Sequence, residues 1–264
     1  MVSNREFGST ANGQSSLPAS EELSRELIVP KHLKADLLVN GMMLVRKLSR
    51  RLARYYGNPR LHNKENPLDE LIFIILSAKT TEPSYLRTYR LLKRTFPNWF
   101  DILDSPTGSV ARVIARGGLA TKKESQIWRL LTEIRERTGR DDLNFLKKMT
   151  TEEAEKFLTS LPGVGFKTAR CVLMYTMNRH VFPVDTHVKR VLSRIGIIRP
   201  ERLTDKVQAD IQSVIPEDIR YELHVNLVAH GRSVCTARNP TCNYCLLNDT
   251  CNYHALERVS RSLS

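Results

Sequence analysis

The stretch Leu161–His187, LPGVGFKTARCVLMYTMNRHVFPVDTH, decides how the rest of the chain is interpreted. It begins with a Leu-Pro-Gly-Val-Gly turn, and the apolar spacing on both sides of that turn predicts two helices. Pro162 restricts the backbone, while Gly163 and Gly165 tolerate a positive φ and leave no Cβ in the way of a close neighbour. The sequence therefore predicts a helical hairpin with an open, glycine-rich turn.

The second helix of this hairpin begins with amides that have no acceptor inside the helix. We expect the amides of Val164, Gly165 and Phe166 to be free donors, and a helix start attracts phosphate through such amides and through its dipole. A hairpin of this kind can hold a nucleic-acid backbone without reading its sequence. Gly163, Val164 and Gly165 are therefore predicted DNA contacts, although an ordinary αα-hairpin would show the same pattern.

Lys167 lies in the first turn of the second helix, and Asp185 follows it eighteen residues later. The helix dipole favours a neutral amine, which can act as a nucleophile and form a Schiff base, whereas a nearby carboxylate favours the ammonium. The sequence leaves open which influence prevails, and a solvated lysine that touches a phosphate is the simpler interpretation. Asp185 precedes an amphipathic pattern, so it is also a candidate N-cap, a role that would hold its carboxylate still.

Four of the five cysteines lie close together in the stretch CTARNPTCNYCLLNDTC. Their spacing is C-x6-C-x2-C-x5-C, and they are Cys235, Cys242, Cys245 and Cys251. Four thiolates this close suit either a tetrahedral zinc ion or a [4Fe–4S] cluster, and the spacing alone does not choose. The fifth, Cys171, lies in the apolar helix after the hairpin turn and is predicted to be a small core residue.

Composition and charge narrow the classes of function. Lys and Arg number 41 against 28 Asp and Glu, and a formal net charge of +13 favours a polyanionic partner. No apolar run reaches the length of a membrane span, and residues 1–30 read as a disordered tail without a secretory signal. No stretch alternates with a period of two residues over a useful length, which predicts an all-α protein.

The motifs L-P-G-V-G-x-K-T-A and V-D-T-H, with the upstream LIFIILSAKTTE and the terminal cysteines, resemble the helix-hairpin-helix DNA glycosylases. The resemblance is closest to the endonuclease III family and runs from about Leu44 to Cys251. It implies a monomeric base-excision-repair enzyme, a bifunctional DNA glycosylase and abasic-site lyase that acts on oxidised pyrimidines in double-stranded DNA. In that family pattern Lys167 corresponds to the nucleophile and Asp185 to an essential carboxylate.

The resemblance also implies a two-lobed helical architecture with the DNA cleft between the lobes. A six-helix lobe that contains the hairpin would span residues 61–179, and the second lobe would join residues 31–60 to residues 180–264. The four cysteines have the spacing of the family's iron–sulfur motif, so the resemblance favours a [4Fe–4S] cofactor with a structural role. Arg238, in the loop between the first two cysteines, would face DNA. The protein would act in the cytoplasm or nucleoid of a bacterium, or in the nucleus of a eukaryote.

Three further side chains are predicted DNA contacts: Lys79, Lys123 and His187. Lys123 belongs to the basic turn Thr121-Lys122-Lys123, and His187 ends the V-D-T-H motif. Lys79 stands where the resembling family usually has a glutamine that enters the space left by a flipped base. Ala120 stands where that family usually has an aromatic residue. Both departures leave the range of lesions and the strength of base extrusion open.

Two other functions fit parts of the sequence. The first is a monofunctional glycosylase of the same superfamily, such as the adenine-mismatch branch. That branch typically lacks a lysine at position 167 and carries an extra C-terminal recognition domain. The second is a non-catalytic, zinc-bearing DNA-binding module, which would explain the charge and the cysteines without any covalent chemistry. Borohydride trapping separates this second function from the enzyme, because only a Schiff base becomes covalently linked to DNA.

Overall fold

The computed structural model describes residues 35–198 and 204–256, so the predicted disordered tail at residues 1–30 lies outside the described residues. Every regular element in those ranges is helical, which confirms the all-α prediction. None of the helices in the described ranges is long and apolar enough to cross a membrane.

The α-helices follow one another along the chain with short connections. Their bounds are α1 Ala35–Tyr56, α2 Pro67–Ser77, α3 Glu82–Thr95, α4 Ser109–Val113, α5 Ala120–Thr138, α6 Thr151–Ser160, α7 Phe166–Met177, α8 Thr186–Ile195, α9 Asp205–Val214 and α10 Arg220–Ser233. Short 3-10 turns lie at Trp99–Ile102, Ala115–Gly117, Asn144–Lys148, Glu217–Ile219, Cys242–Tyr244 and Asn248–Thr250.

One hydrophobic cluster is built from α2 to α7 around the central helix α2. Asn66 caps α2, because its side-chain oxygen accepts hydrogen bonds from the amides of Leu68 and Asp69, and Pro67 occupies the first turn. The helix is apolar nearly all round, and it packs against α3, α5 and α7. Complete burial of Leu71 and its neighbours makes α2 the middle of this cluster.

A second hydrophobic cluster is built from α1, α8, α9 and α10. Helix α10 packs against both α1 and α8, and fully buried side chains such as Leu52, Phe182 and Leu227 fill the space between them. Adjacent residues belong to different clusters at one point, since Val181 lies in the first and Phe182 in the second. Hydrophobic clusters alone do not fix a domain boundary, so the predicted lobe limits stay a prediction.

Polar contacts tie the two clusters together. The side chain of Arg170 on α7 is 4% exposed, pairs with Glu155 on α6 at 2.8 Å, and donates to the Gln208 carbonyl on α9 at 3.1 Å. Within the second cluster, the amide of Phe182 also donates to the side chain of Gln212 at 2.7 Å. Because a buried guanidinium is costly unless it is paired, the contacts of Arg170 fix α7 relative to α9.

Lys123 is buried, although the sequence predicts that it contacts DNA. Its side chain is buried, and Nζ donates to the Leu76 carbonyl at 2.7 Å, the Thr80 hydroxyl at 2.8 Å and the Gly117 carbonyl at 3.0 Å. Burial lowers the pKa of this amine. The predicted DNA contact by Lys123 is therefore wrong, because all three donors of the ammonium are used inside the protein.

We expect Lys123→Met to lower the free energy of unfolding by about 3 kcal/mol, because it leaves the buried carbonyls of Leu76 and Gly117 without a donor. Denaturant titration followed by circular dichroism measures the loss. The matched control is Lys122→Met, since Lys122 is the neighbouring exposed residue and should change stability little. Equal, small effects of the two substitutions would contradict the structural role of Lys123.

Candidate active site

A cavity of about 670 Å³ opens where the two hydrophobic clusters face each other. Its wall includes Phe73 from α2, Lys167 from α7, Asp185 just before α8 and Val228 from α10. The volume lies within the range of pockets that hold small molecules. The predicted lysine and carboxylate, eighteen residues apart in sequence, thus share one cavity.

The predicted hairpin is formed by α6, the glycine turn and α7. Helix α6 begins with a reciprocal capping box between Thr150 and Glu153, and α7 begins directly after Gly165. Gly163 has a φ of +75°, and a Cβ there would lie 2.7 Å from Nε2 of Gln126. The Gln126 side chain also donates to the Gly163 carbonyl at 3.2 Å, which holds the turn against α5.

The free donors of the turn differ from those predicted. The Val164 amide donates to the Leu161 carbonyl at 3.1 Å, and its side chain is buried, so the predicted contact of Val164 with DNA is wrong. Within residues 35–198 and 204–256, the amides of Gly165 and Phe166 find no acceptor. Gly165 is exposed, so these two donors at the start of α7 are open to an anion, which a helix start favours.

Lys167 shares its face of α7 with Cys171 and Tyr175, which follow at intervals of four residues and also line the cavity. The pKa of Lys167 lies above its ordinary value, because the side chains of Cys171, Asp185 and Glu70 outweigh the effect of burial. Burial raises the pKa of Cys171 to about 12, so Cys171 is a neutral thiol near pH 7 and the two carboxylates are the effective anions. The largest of these influences is therefore absent near pH 7, where burial opposes the ammonium of Lys167 and the carboxylates of Asp185 and Glu70 favour it.

Asp185 is the N-cap of α8, as predicted. Its Oδ1 accepts a hydrogen bond from the Val188 amide at 2.8 Å. Burial opposes its ionisation, but His224, the Val188 amide and Lys167 together hold its pKa below the ordinary value. Asp185 is therefore a fixed carboxylate, positioned by the start of a helix and directed at the cavity that contains Lys167.

Two ionisable residues near this pair were missed by the sequence analysis. Glu70 is completely buried, and burial raises its pKa to about 7 although the Lys64 amide and the Asn63 side chain donate to it. His224 lines the cavity, donates from Nδ1 to the Pro183 carbonyl at 3.0 Å, and has a pKa lowered to about 4 by burial. One sequence signal could have identified Glu70: it is an acidic residue in the otherwise largely apolar helix α2.

The remaining predicted DNA contacts are divided between the cavity wall and the cysteine loop. Lys79 is exposed at the cavity wall, in a left-handed conformation with φ of 52°. His187 also lines the cavity, and its Nδ1 accepts a hydrogen bond from Arg190 at 3.1 Å, which leaves the proton on Nε2. Arg238 is exposed in the cysteine loop and does not line the cavity.

The four C-terminal cysteines line one small pocket, and none of them is in a disulfide. Cys235 Sγ accepts a hydrogen bond from Arg194 at 3.3 Å, and Cys245 Sγ accepts one from the Leu247 amide at 3.4 Å. Burial raises the pKa of Cys245 to about 11, and the three other thiols act in the same direction. The sulfurs are therefore close enough to influence one another.

The chemistry of these four thiols fits either of the two metal centres left open by their spacing. Among the described residues, no group of three or more His, Cys, Asp or Glu side chains is placed to hold a metal ion. Tetrahedral zinc requires four sulfurs at about 2.3 Å from one point. A [4Fe–4S] cluster takes one thiolate at each corner, and four thiols around one pocket, two of them accepting from N–H donors, supply the ligands that such a cluster needs.

Comparison with known proteins agrees with this geometry. The chain matches the family described as "HhH-GPD superfamily base excision DNA repair protein" over residues 72–217, more than half of its length. The chain belongs to the HhH-GPD superfamily. The predicted resemblance to the helix-hairpin-helix glycosylases of the endonuclease III family is thereby confirmed.

This HhH-GPD protein is similar to several curated proteins. It is 35% identical over 173 residues to an Arabidopsis thaliana protein provisionally named a DNA glycosylase, covering 66% of this chain and 59% of the relative. It is 31% identical over 190 residues to endonuclease III of Buchnera aphidicola, covering 69% of this chain and 80% of that protein. Against Arabidopsis DEMETER-like protein 3 it is 29% identical over 180 residues, covering 62% of this chain and only 17% of that larger protein.

A solved structure shows the same fold. The structure of a trapped endonuclease III–DNA covalent intermediate superposes with a TM-score of 0.71 at 24% identity, covering 82% of this chain and 98% of that one. The two-lobed helical glycosylase fold predicted from the sequence is therefore the fold of this HhH-GPD protein.

We expect Gly163→Ala to lower the free energy of unfolding by about 1–2 kcal/mol, because alanine is strained at a positive φ and its Cβ would meet Gln126. Thermal unfolding of the purified protein measures the change. Gly165→Ala is the matched control two residues away, since Gly165 has a φ of −96° and a Cβ there meets nothing within 4 Å. The hairpin geometry would be contradicted by a Gly163→Ala protein as stable as the Gly165→Ala protein.

Proposed function

We propose that this HhH-GPD protein is a bifunctional DNA glycosylase that removes oxidised pyrimidines from double-stranded DNA and cleaves abasic sites by β-elimination. One observation carries the proposal: the amine of Lys167 and the carboxylate of Asp185 line the same cavity. The free amides of Gly165 and Phe166 precede Lys167 directly along the chain. The fold likeness to a trapped covalent endonuclease III–DNA intermediate supports covalent chemistry of this kind.

DNA binding follows from the hairpin and the charge. The amides of Gly165 and Phe166 and the positive end of α7 would hold a backbone phosphate, a contact that carries no sequence information. The exposed side chain of Lys79 lies on the wall of the cavity and would reach toward the duplex. A base inside the stack must be flipped out before it reaches Lys167, and a cavity of about 670 Å³ is large enough to receive one base.

The proposed reaction is a substitution at the sugar followed by an elimination. After Lys167 loses a proton, Nζ attacks C1′, a C–N bond forms, and the base leaves with the electrons of the glycosidic bond. The sugar opens to a Schiff base, which acidifies the 2′ proton. Loss of that proton breaks the C3′–O bond and cuts the strand. Asp185, fixed by the Val188 amide, would stabilise the positive charge that develops at the sugar.

The choice of oxidised pyrimidines rests on the likeness to endonuclease III, and the presence of Lys167 argues against a monofunctional adenine-mismatch enzyme. The polar groups of the cavity suit a base that both donates and accepts hydrogen bonds. Arg232 offers donors, and Glu82, which pairs with it at 2.8 Å, offers an acceptor. Duplexes that carry thymine glycol, dihydrouracil, an abasic site, or adenine opposite 8-oxoguanine distinguish the substrate classes.

Lys167→Gln should abolish both borohydride-trapped protein–DNA complexes and strand cleavage, because glutamine cannot form a Schiff base. DNA binding should be largely retained, since the hairpin amides are unchanged. Gel analysis of trapping on an abasic duplex and a binding titration measure the two effects. Lys189→Gln is a matched control, because Lys189 also lines the cavity but lies on α8, and not on α7 with the proposed nucleophile. Undiminished trapping by the Lys167→Gln protein would refute the assignment of the nucleophile.

We also propose that Cys235, Cys242, Cys245 and Cys251 hold a [4Fe–4S] cluster. When bound, the cluster would cross-link the C-terminal loop and would take no part in the steps at C1′. The residues around it would fix that loop: Arg194 donates to Cys235 Sγ and to the Thr236 carbonyl at 2.7 Å. Arg238, exposed in the same loop, would then be held where it can meet a phosphate.

The protein purified without oxygen should contain iron and sulfide and absorb broadly near about 400 nm, as expected for such a cluster. Cys245→Ser should lose most of the iron, because one of the four thiolates is removed. Cys171→Ser should retain it, since Cys171 is buried on α7 away from the loop. Metal analysis that finds stoichiometric zinc and no iron would overturn the cluster in favour of a zinc site.

A further inference from the structure

The imidazole of His224 has one ring nitrogen in use and one without a partner. His224, on α10, is 2% exposed and lines the cavity that contains Lys167, and its Nδ1 donates to the Pro183 carbonyl at 3.0 Å. Because a carbonyl oxygen can only accept, the proton of the neutral ring lies on Nδ1 and the lone pair lies on Nε2. No hydrogen bond from the described residues reaches Nε2. Its lone pair is therefore left for a molecule that enters the cavity.

The hydroxyl of Tyr175 is a second polar group of this kind. Tyr175 follows Lys167 by eight residues on the same face of α7, and both side chains line the cavity. The hydroxyl forms no hydrogen bond with any of the described residues, and burial raises its pKa well above the ordinary value. It therefore keeps its proton and can donate a hydrogen bond.

Aromatic contacts hold these two side chains beside each other. The ring centroids of Tyr175 and His224 lie 5.8 Å apart, with an interplanar angle of 64°. The ring of Phe182 meets His224 edge-on, and the ring of Tyr221 meets Tyr175 edge-on, each with centroids 6.2 Å apart. Edge contacts between aromatic rings are favourable and restrict their rotation. A hydrogen-bond acceptor and a hydrogen-bond donor thus lie on neighbouring rings of one cavity wall.

Three other acceptors on the cavity wall already have partners. Asp185 accepts from a backbone amide at 2.8 Å, Glu82 accepts from Arg232 at 2.8 Å, and Nδ1 of His187 accepts from a guanidinium at 3.1 Å. His224 also differs from the two carboxylates in charge, because burial lowers its pKa to about 4 and the ring is neutral near pH 7. A neutral acceptor suits the N–H of an uncharged base, since no charge has to be buried with it.

We propose that His224 and Tyr175 recognise the flipped base, with Nε2 of His224 accepting from a ring N–H and the Tyr175 hydroxyl donating to the neighbouring carbonyl oxygen. This pattern matches the imide edge of bases derived from thymine and uracil, in which N3–H lies between two carbonyl groups. A base derived from cytosine has a lone pair at N3, which would oppose the lone pair of Nε2. The inference rests on the proposed function, because it names the oxidised pyrimidines that the same site selects.

The test compares two lesions that differ at the edge to be recognised. 5-Hydroxyuracil has the imide edge, whereas 5-hydroxycytosine has an amino group and an unprotonated N3. In single-turnover assays on duplexes of one sequence, we expect the wild-type protein to release 5-hydroxyuracil about 10-fold faster, because the other base leaves buried polar groups unpaired. Equal rates of release, or faster release of 5-hydroxycytosine, would overturn the inference.

His224→Asn should remove this preference. Asparagine can still donate to the Pro183 carbonyl but has no atom at the position of Nε2, so the ratio of the two rates should fall to about one. His180→Asn is the matched control, because Nδ1 of His180 contacts the Glu217 carbonyl at 3.3 Å in the same way, while its side chain is exposed and does not line the cavity. A His224→Asn protein with the wild-type ratio would refute the role of Nε2.

Tyr175→Phe tests the donor, and it keeps the test decisive if the His224 variant does not fold. The substitution removes one hydroxyl and keeps the ring. Release of 5-hydroxyuracil, measured relative to cleavage of an abasic duplex, should fall by about 10-fold, since an abasic site has no base to recognise. Tyr221→Phe is the matched control, because Tyr221 is 47% exposed and lies outside the cavity wall. An unchanged ratio in the Tyr175→Phe protein would refute the role of its hydroxyl.

Cleavage of the abasic duplex separates this inference from the proposed function. A wild-type protein that neither releases a base nor cleaves the abasic duplex would refute both. A wild-type protein that cleaves the abasic duplex and releases the two lesions at one rate would refute the inference alone, and the proposed function would stand.

Discussion

The packing of α7 against α2 is the contact on which the site depends. It places Lys167 on the wall of a cavity that Asp185 lines from the start of α8, while Glu70 lies fully buried on α2. A buried charge is tolerated only when opposite charges or hydrogen bonds compensate it, so these three groups constrain one another. The protonation of Lys167 is set by this packing, because burial favours its neutral amine and the nearby carboxylates favour its ammonium.

The two carboxylates also come from different parts of the fold. Glu70 and Lys167 belong to the first hydrophobic cluster, whereas Asp185 leads into the second. Their distance is therefore set by the contacts between clusters and not by local sequence. Arg170 bridges α6, α7 and α9, and Arg232 on α10 reaches Glu82 at the start of α3. These ion pairs are partly or largely shielded from water, where they are less screened than pairs on an open surface.

Much of this site could be predicted from the sequence, because the responsible signals are local. The glycine hairpin, the N-cap role of Asp185 and the helical class all follow from turn chemistry and from apolar spacing over a few residues. The predictions that were wrong or missing concern contacts between residues that lie far apart in the sequence. Charge pattern cannot tell which of two adjacent lysines faces inward, so the sequence predicts a DNA contact for Lys123 although its ammonium holds the buried carbonyls of Leu76 and Gly117. Glu70 was overlooked because an acidic residue in the first turn of a helix has an ordinary explanation in the dipole.

The cysteine loop is linked to the cavity through two arginines of α8. Arg194 donates to Cys235 Sγ and to the Thr236 carbonyl, while Arg190 donates to the Cys235 carbonyl at 2.7 Å and to His187 at the cavity wall. Arg190 also donates to the Gly231 carbonyl at 2.7 Å, which joins α8 to α10. A loop held rigid by a cluster would thus hold the start of α8, and with it the carboxylate of Asp185. A centre that takes no part in bond breaking can in this way still fix the geometry of the residues that do.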